Sequence, residues 1–262
     1  METVDWKGTL TQKDPHKALT SGFKRAHGRN AFGRITTRHK GGGAKRLLRE
    51  IDFKYDKIGI PARVESIEYD PNRTSYIALL SYRDGEKRYV LCMQGMKVGQ
   101  TVITAEHAAV EAGNRLPLKH IPIGTIVSNI ELERGRGAQM VRSAGSGAII
   151  VAQEGTYTHI QLPSKEVRMV RSENWASVGA LSNPEYSLMT IGKAGRARHM
   201  GIRPSVRGTA MNPVDHPHGG GEGRTLTGRR RGPATPWGKP ARGVKTRGKR
   251  KKSNVFIISR RK

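Results

Sequence analysis

What this chain has little of narrows its function before any motif is considered. Its 262 residues include a single cysteine, Cys92. That excludes an intrachain disulfide and a cysteine-based zinc cluster, and it is compatible with a reducing compartment. No apolar run is long enough to span a bilayer, and no amphipathic basic helix is present to lie on one, so a membrane partner is not expected. The opening residues, Met1 to Trp6, carry two acids and no apolar stretch, and read as neither a secretory signal nor an Arg-rich transit peptide. Acids are also scarce where bases are dense. Residues 1–50 hold 12 Lys/Arg against 4 Asp/Glu, residues 51–192 hold 16 against 15, and residues 193–262 hold 20 against 2.

The net charge of +27 therefore sits at the two ends, around a nearly neutral middle. The middle can form a folded domain. The ends repel themselves and lack apolar residues, so the expectation is of extended arms that order only against a polyanion. Nucleic acid is that polyanion, because neutralised phosphates release counterions.

The middle reads as β. Ala62 to Tyr69 alternates and ends at the turn Asp70-Pro71-Asn72. Tyr76 to Tyr82 and Arg88 to Met93 flank Asp84-Gly85, a strong hairpin signal. Met96 to Ile103 and Thr125 to Leu132 offer further strands. Between them, Leu116 to Pro122 reads as a connection, because its two prolines exclude regular pairing. Ala148 to Gln153, Tyr157 to Leu162 and Glu166 to Val170 form a meander. Short strands with tight turns indicate small barrels rather than a parallel α/β sheet. Asn183-Pro184 could cap a short helix, and Val255 to Ile258 is a short strand or an anchor.

Two glycine-bearing basic stretches remain. From Arg34 to Arg46, the glycines Gly41, Gly42 and Gly43 lie among Arg38, Lys40 and Lys45, a pattern suited to gripping phosphate. From Arg207 to Arg224 the chain reads Arg-Gly-Thr-Ala-Met-Asn-Pro-Val-Asp-His-Pro-His-Gly-Gly-Gly-Glu-Gly-Arg. With so little apolar content this stretch cannot form a core. Its five glycines, including Gly219, Gly220 and Gly221, let backbone approach a partner, while Asn212, Asp215, His216, His218 and Glu222 add distinct polar groups. Trp237 either stacks on a base or ribose or packs on its own domain.

Enzyme readings are poorly supported. His218-Gly-Gly-Gly221 matches an oxyanion-hole motif, but no G-x-S-x-G nucleophile elbow accompanies it. Asp215, His216, His218 and Glu222 have metal-ligand chemistry without a scaffold to fix it. Gly243 to Arg250 resembles a phosphate-binding loop, but Arg250 stands where Ser or Thr would hold magnesium.

The Arg207 to Arg224 stretch resembles the signature of the universal large-subunit ribosomal protein two (L-two) family. So do Gly33-Arg-Ile-Thr-Thr-Arg-His-Lys-Gly-Gly-Gly43, Ile67-Glu-Tyr-Asp-Pro-Asn-Arg73, Asp84-Gly-Glu-Lys-Arg-Tyr89, Ser143-Ala-Gly145, Ile191-Gly-Lys-Ala-Gly-Arg196 and Thr235-Pro-Trp-Gly238. The resemblance runs from about Gly28 to the C-terminus and is closest to the bacterial and organellar branch. It departs from many relatives at Ala44, and at Trp175, where an Arg on a local surface is common.

The resemblance implies an all-β chain. An N-terminal arm (1–33) is followed by an oligonucleotide-binding (OB) barrel (34–118), an SH3-like barrel (119–196) and a basic extension (197–262) threaded into large-subunit rRNA. It implies a structural constituent that supports assembly, subunit association and the peptidyl-transferase region. Its partners would be rRNA, neighbouring ribosomal proteins and the small subunit across an intersubunit bridge. The location would be the cytoplasmic ribosome, with an organellar matrix as the alternative, and magnesium would serve only as an RNA counterion. The rRNA-contacting residues would be Arg34, Arg38, Lys40, Gly41 to Gly43, Lys45 and Arg46 in the first stretch. In the second they would be Arg196, Arg198, Arg203, Arg207, Asn212, His216, His218, Gly219 to Gly221, Arg224, Arg229, Arg230, Arg231 and Trp237. Competing readings are a nucleic-acid packaging protein and a catalytic part for His216 or His218.

Overall fold

The computed structural model describes residues 6–22, 25, 27–223, 225–230 and 232–260. Arg224 and Arg231 lie outside them. The chain divides into two compact units, one of residues up to 24, 46–192 and 253 onward, the other of 25–45 with 193–252.

In the first unit, β1 (Thr20–Gly22) pairs antiparallel with β2 (Leu47–Arg49). Next come β3 (Ala62–Glu68), β4 (Ile77–Tyr82), β5 (Lys87–Leu91) and β6 (Thr101–Val102), in the antiparallel order β5-β4-β3-β6. β3 begins with the expected alternation: Ala62 and Val64 are buried, Arg63 and Glu65 exposed. The register then shifts between Val64 and Ser66, a bulge that bends the strand. β4 is buried on both faces. Ala78 and Leu80 join Tyr55, Val64 and Val90 in one core, while Ile77 and Leu79 join Tyr89, Leu91 and Leu181 in another. The hairpin at Asp84-Gly85 forms as expected, with Gly85 at φ 88.

The second sheet holds β7 (Arg115–Pro117), β8 (Ile126–Ser128), β9 (Ala148–Glu154), β10 (Tyr157–Gln161), β11 (Val167–Arg171), β12 (Trp175–Val178) and β13 (Ile257–Ser259). Its order is β13-β11-β10-β9-β8-β12-β7, around Leu116, Val127, Ile150, Ile160, Val170 and Ala176. The C-terminal run is thus a strand, and it covers the edge of β11.

Several expectations need correction. The connection at 116–122 begins as strand β7; Pro117 is tolerated because β7 is the last strand of its sheet. Met96 to Ile103 yields only β6, since Gly95 and Gly99 take positive φ and turn the chain. The strand at 125–132 stops at Ser128, where Asn129 enters the left-handed region. The short helix at Asn183-Pro184 forms as a 3-10 helix (Pro184–Leu188) with Asn183 at its N-cap position, but the Asn183 side chain does not cap it; its amide donates to the Thr74 carbonyl at 2.7 Å. Trp175 is a buried residue of β12, not a surface one.

A buried ion pair ties this unit together. Arg115, 1 % exposed, donates to the Asn129 carbonyl at 2.8 Å and lies 3.6 Å from the Glu131 carboxylate. Its guanidinium sits 4.4 Å from the Tyr55 ring centroid. Glu131 also accepts from the Gly137 and Trp175 amides, so neither charge is left without polar partners.

Candidate nucleic-acid interface

The second unit holds 23 Lys and Arg against 2 acids. Its only α-helix among the described residues is α1 (Ala194–His199), which the sequence did not signal because it has no apolar stripe. Arg196, Arg198 and His199 occupy its last turn, where the helix dipole favours cations. The helix ends with Gly201 at φ 91, its amide bonded to the Arg198 carbonyl and the Ile202 amide to the Ala197 carbonyl, a Schellman termination.

The first triple glycine docks on this turn. The Gly41 amide donates to the Gly201 carbonyl at 2.8 Å, and the Ala44 amide to the His199 carbonyl at 2.9 Å. Gly43 adopts φ 67, and a Cβ there would meet the His199 carbonyl oxygen at 2.6 Å and the Gly201 nitrogen at 2.7 Å. Arg25, a residue sequence reasoning missed, donates to the Ala44 and Met200 carbonyls at 3.4 and 3.3 Å. No local pattern could have found it, since Met200 lies 175 positions away.

The second glycine cluster also closes on its own chain. The Asp215 and His216 amides donate to the Asn212 carbonyl, and Gly220 donates to Met211. A Cβ on Gly219 would sit 2.3 Å from the Asn212 oxygen, so only glycine fits. Gly43 and Gly219 are thus required by backbone packing within the unit, where the sequence reading assigned them to the approach of a partner.

His216 is buried at 7 % exposure, with Gly208 against its ring. Its ring and that of His218 have centroids 4.7 Å apart. His216 Nδ1 accepts from the His218 amide at 3.0 Å, and His218 Nε2 accepts from the Ala234 amide at 2.8 Å. These bonds set the neutral tautomers: His216 carries its proton on Nε2 and His218 on Nδ1. Burial pushes the His216 pKa below its ordinary 6.5, and His218 and Arg38 push the same way.

Around this frame Arg34, Arg38, Lys40, Lys45, Arg198, Arg203, Arg207, Asn212, Arg229 and Arg230 are exposed. Gly43 and Gly221 are exposed too, while Gly41, Gly42, Arg196, His218, Gly219 and Gly220 are half-buried. Trp237 is 79 % exposed at a turn, with the Arg38 guanidinium 6.0 Å from its ring centroid. Arg46 belongs to the other unit, where it donates to the Pro71 carbonyl at 2.6 Å. Among the described residues no three His, Cys, Asp or Glu side chains converge to hold a metal, and no helix is long and apolar enough to cross a membrane.

Two small β-barrels joined to a glycine-laced unit studded with exposed guanidinium groups define a structural RNA-binding protein. Residues 16–104 match the model of Ribosomal Proteins L2, RNA binding N-terminal domain, and residues 111–238 that of Ribosomal Proteins L2, C-terminal domain. The chain belongs to the ribosomal protein L2 family: an OB-like barrel, then an SH3-like barrel, in an rRNA-binding structural constituent of the large ribosomal subunit.

Proposed function

We propose that the second unit is the part of this chain that enters large-subunit rRNA, through the exposed Arg and Lys and the glycine turns named above. One observation carries the reading: 23 bases against 2 acids occupy a unit in which, among the described residues, only Gly28, His216 and Ala234 are buried. Self-repelling charge without an apolar core needs a polyanion around it. In this reading the OB-like barrel lies within 46–114 and the SH3-like barrel within 115–192 with β13 added, while 25–45 and 193–252 form the basic part. The chain supports assembly of the large subunit, its joining to the small subunit across a bridge, and the peptidyl-transferase region, beside neighbouring ribosomal proteins. Its setting is a bacterial ribosome, or an organellar one, and magnesium acts only as RNA counterion.

The histidines position RNA and chain in this reading and do no chemistry. A general base needs a free lone pair near the proton that it takes. The lone pair of each neutral ring already accepts a backbone amide. The test is binding of the full chain to large-subunit rRNA across a salt series. Arg38→Ala and Arg203→Ala should each weaken binding and lower the salt slope by about one unit for each phosphate no longer neutralised. Unchanged slopes in both variants would remove these residues from the interface.

A further inference from the structure

Residues 29–35 form a tight loop that holds one aromatic ring out in solvent. Arg29 and Ile35 form its antiparallel bridge, and the Gly28 carbonyl closes the stem by accepting from the Thr36 and Thr37 amides. Asn30 organises the tip. Its Oδ1 accepts from the Phe32 amide at 3.1 Å and the Arg34 amide at 2.9 Å, and its carbonyl accepts from the Gly33 amide at 3.0 Å. The Arg29 guanidinium locks the far side by donating to the Gly33 carbonyl at 2.7 Å. On this frame Phe32 is 88 % exposed, more than Trp237, and Ile35 is 59 % exposed.

A floppy loop would fold such a ring back against its own chain to hide it from water. This loop is bonded so that it does not. The surroundings identify what covers the ring: Arg25 to Lys45 contains six Lys and Arg and no acid. An apolar protein pocket without an acidic rim would gain nothing from those cations, whereas RNA always offers bases and phosphates together. Apolar side chains beside unstacked bases are a recurring device in nucleic-acid binding, and unpaired RNA nucleotides expose their base faces.

We propose that Phe32 is a base-stacking wedge, which packs against an unpaired nucleobase of the rRNA while Arg29 and Arg34 meet the flanking phosphates. The proposal rests on the rRNA-binding reading and adds to it an unpaired base as the ligand of this tip.

The experiment measures binding of the full chain and its Phe32→Ala, Phe32→Tyr and Phe32→Trp variants to large-subunit rRNA across a salt series. At 88 % exposure the ring contributes little to the fold, and thermal melting of each variant checks this. Phe32→Ala should reduce affinity by about tenfold, the size of a single base stack, at an unchanged salt slope, with Tyr and Trp restoring it. Chemical probing of the complex should show an unpaired base protected by the parent chain and not by Phe32→Ala. Binding within twofold for Phe32→Ala overturns the proposal. So does a changed salt slope without aromatic rescue, or an effect confined to capture of another ribosomal protein. If the parent chain shows no preference for rRNA over unrelated RNA, the broader reading fails first and this one with it.

Discussion

At the scale of single residues, His216 and His218 show how backbone amides can occupy the ring nitrogens of a histidine pair. Burial, helped by His218 and Arg38, shifts the His216 pKa downward and so favours its neutral ring. An unfolded chain takes up a proton there as pH falls through about 6.5, while the folded chain takes it up only at lower pH. The unfolded state then binds more protons, so folding weakens as pH falls and is unaffected above that range. Protection of the Gly219 and Gly220 amides, taken relative to intrinsic exchange at each pH, should therefore fall as pH drops below about 6.5, and an imidazole titration should place His216 below free histidine. His218→Ala should leave the Ala234 amide without its acceptor, costing about 1–3 kcal/mol locally. His218→Gln, which offers a carbonyl oxygen, should recover part of that in the same exchange measurement. Sequence reasoning could select both histidines from their motif. It could not see that their acceptors were taken, because Ala234 is 16 positions from His218 and carries no signal of its own.

At the scale of elements, the strands that were legible are those whose alternation or turn chemistry is local, such as β3 and the hairpin of β4 and β5. Those missed are defined by distant partners. β12 is buried along its whole length and shows no alternation, and β7 is a strand because β12 lies beside it and Thr104 bridges to Arg115. The same dependence on distant partners applies to Arg115, whose buried charge relies on groups from several strands and loops. Arg115→Ala should destabilise the first unit by about 3–5 kcal/mol in denaturant melting, because it leaves Glu131 buried without its counter-charge. The glycine clusters give a second test. Gly219→Ala drives a methyl into a carbonyl oxygen, and Gly43→Ala drives one into the end of α1 at a positive φ. Each should open its turn, seen as new protease cleavage within 207–234 or 25–45 and 193–203 respectively. An Ala variant as resistant as the parent chain would mean that the turn yields more easily than its backbone contacts imply. The two triple glycines were visible in the sequence, but what fills the space beside them was not, because the filling atoms are backbone.

At the scale of the whole molecule, the segregation of charge was legible from the sequence alone, yet the two basic ends were read as separate extended arms. Instead 25–45 and 193–252 share one compact unit, with Gly41 bonded to Gly201 and Ala44 to His199. The contacts join segments more than 150 positions apart, and no apolar pattern announces them, since backbone amides and carbonyls make most of them. This arrangement sets two forces against each other. Backbone hydrogen bonds close the unit, while 23 bases against 2 acids push it open and almost no apolar burial resists them. The barrels, with 25 bases against 19 acids and several apolar cores, face no such conflict. Screening should therefore act on one unit and leave the other alone. Raising salt from about 0.01 M to 0.15 M shortens the Debye length from about 30 Å to about 8 Å. Amide exchange at Gly41, Ala44 and Gly220 should slow by about tenfold over that interval, while exchange at Val64 and Ile160 stays constant. Added RNA should slow the first group further by placing phosphates among the guanidinium groups. If exchange at Gly41 and Ala44 is already as slow as in the barrels at low salt, backbone bonding outweighs the repulsion and the unit folds without its polyanion. If it stays fast even with RNA bound, the pairing of the two ends is not what the nucleic acid recognises.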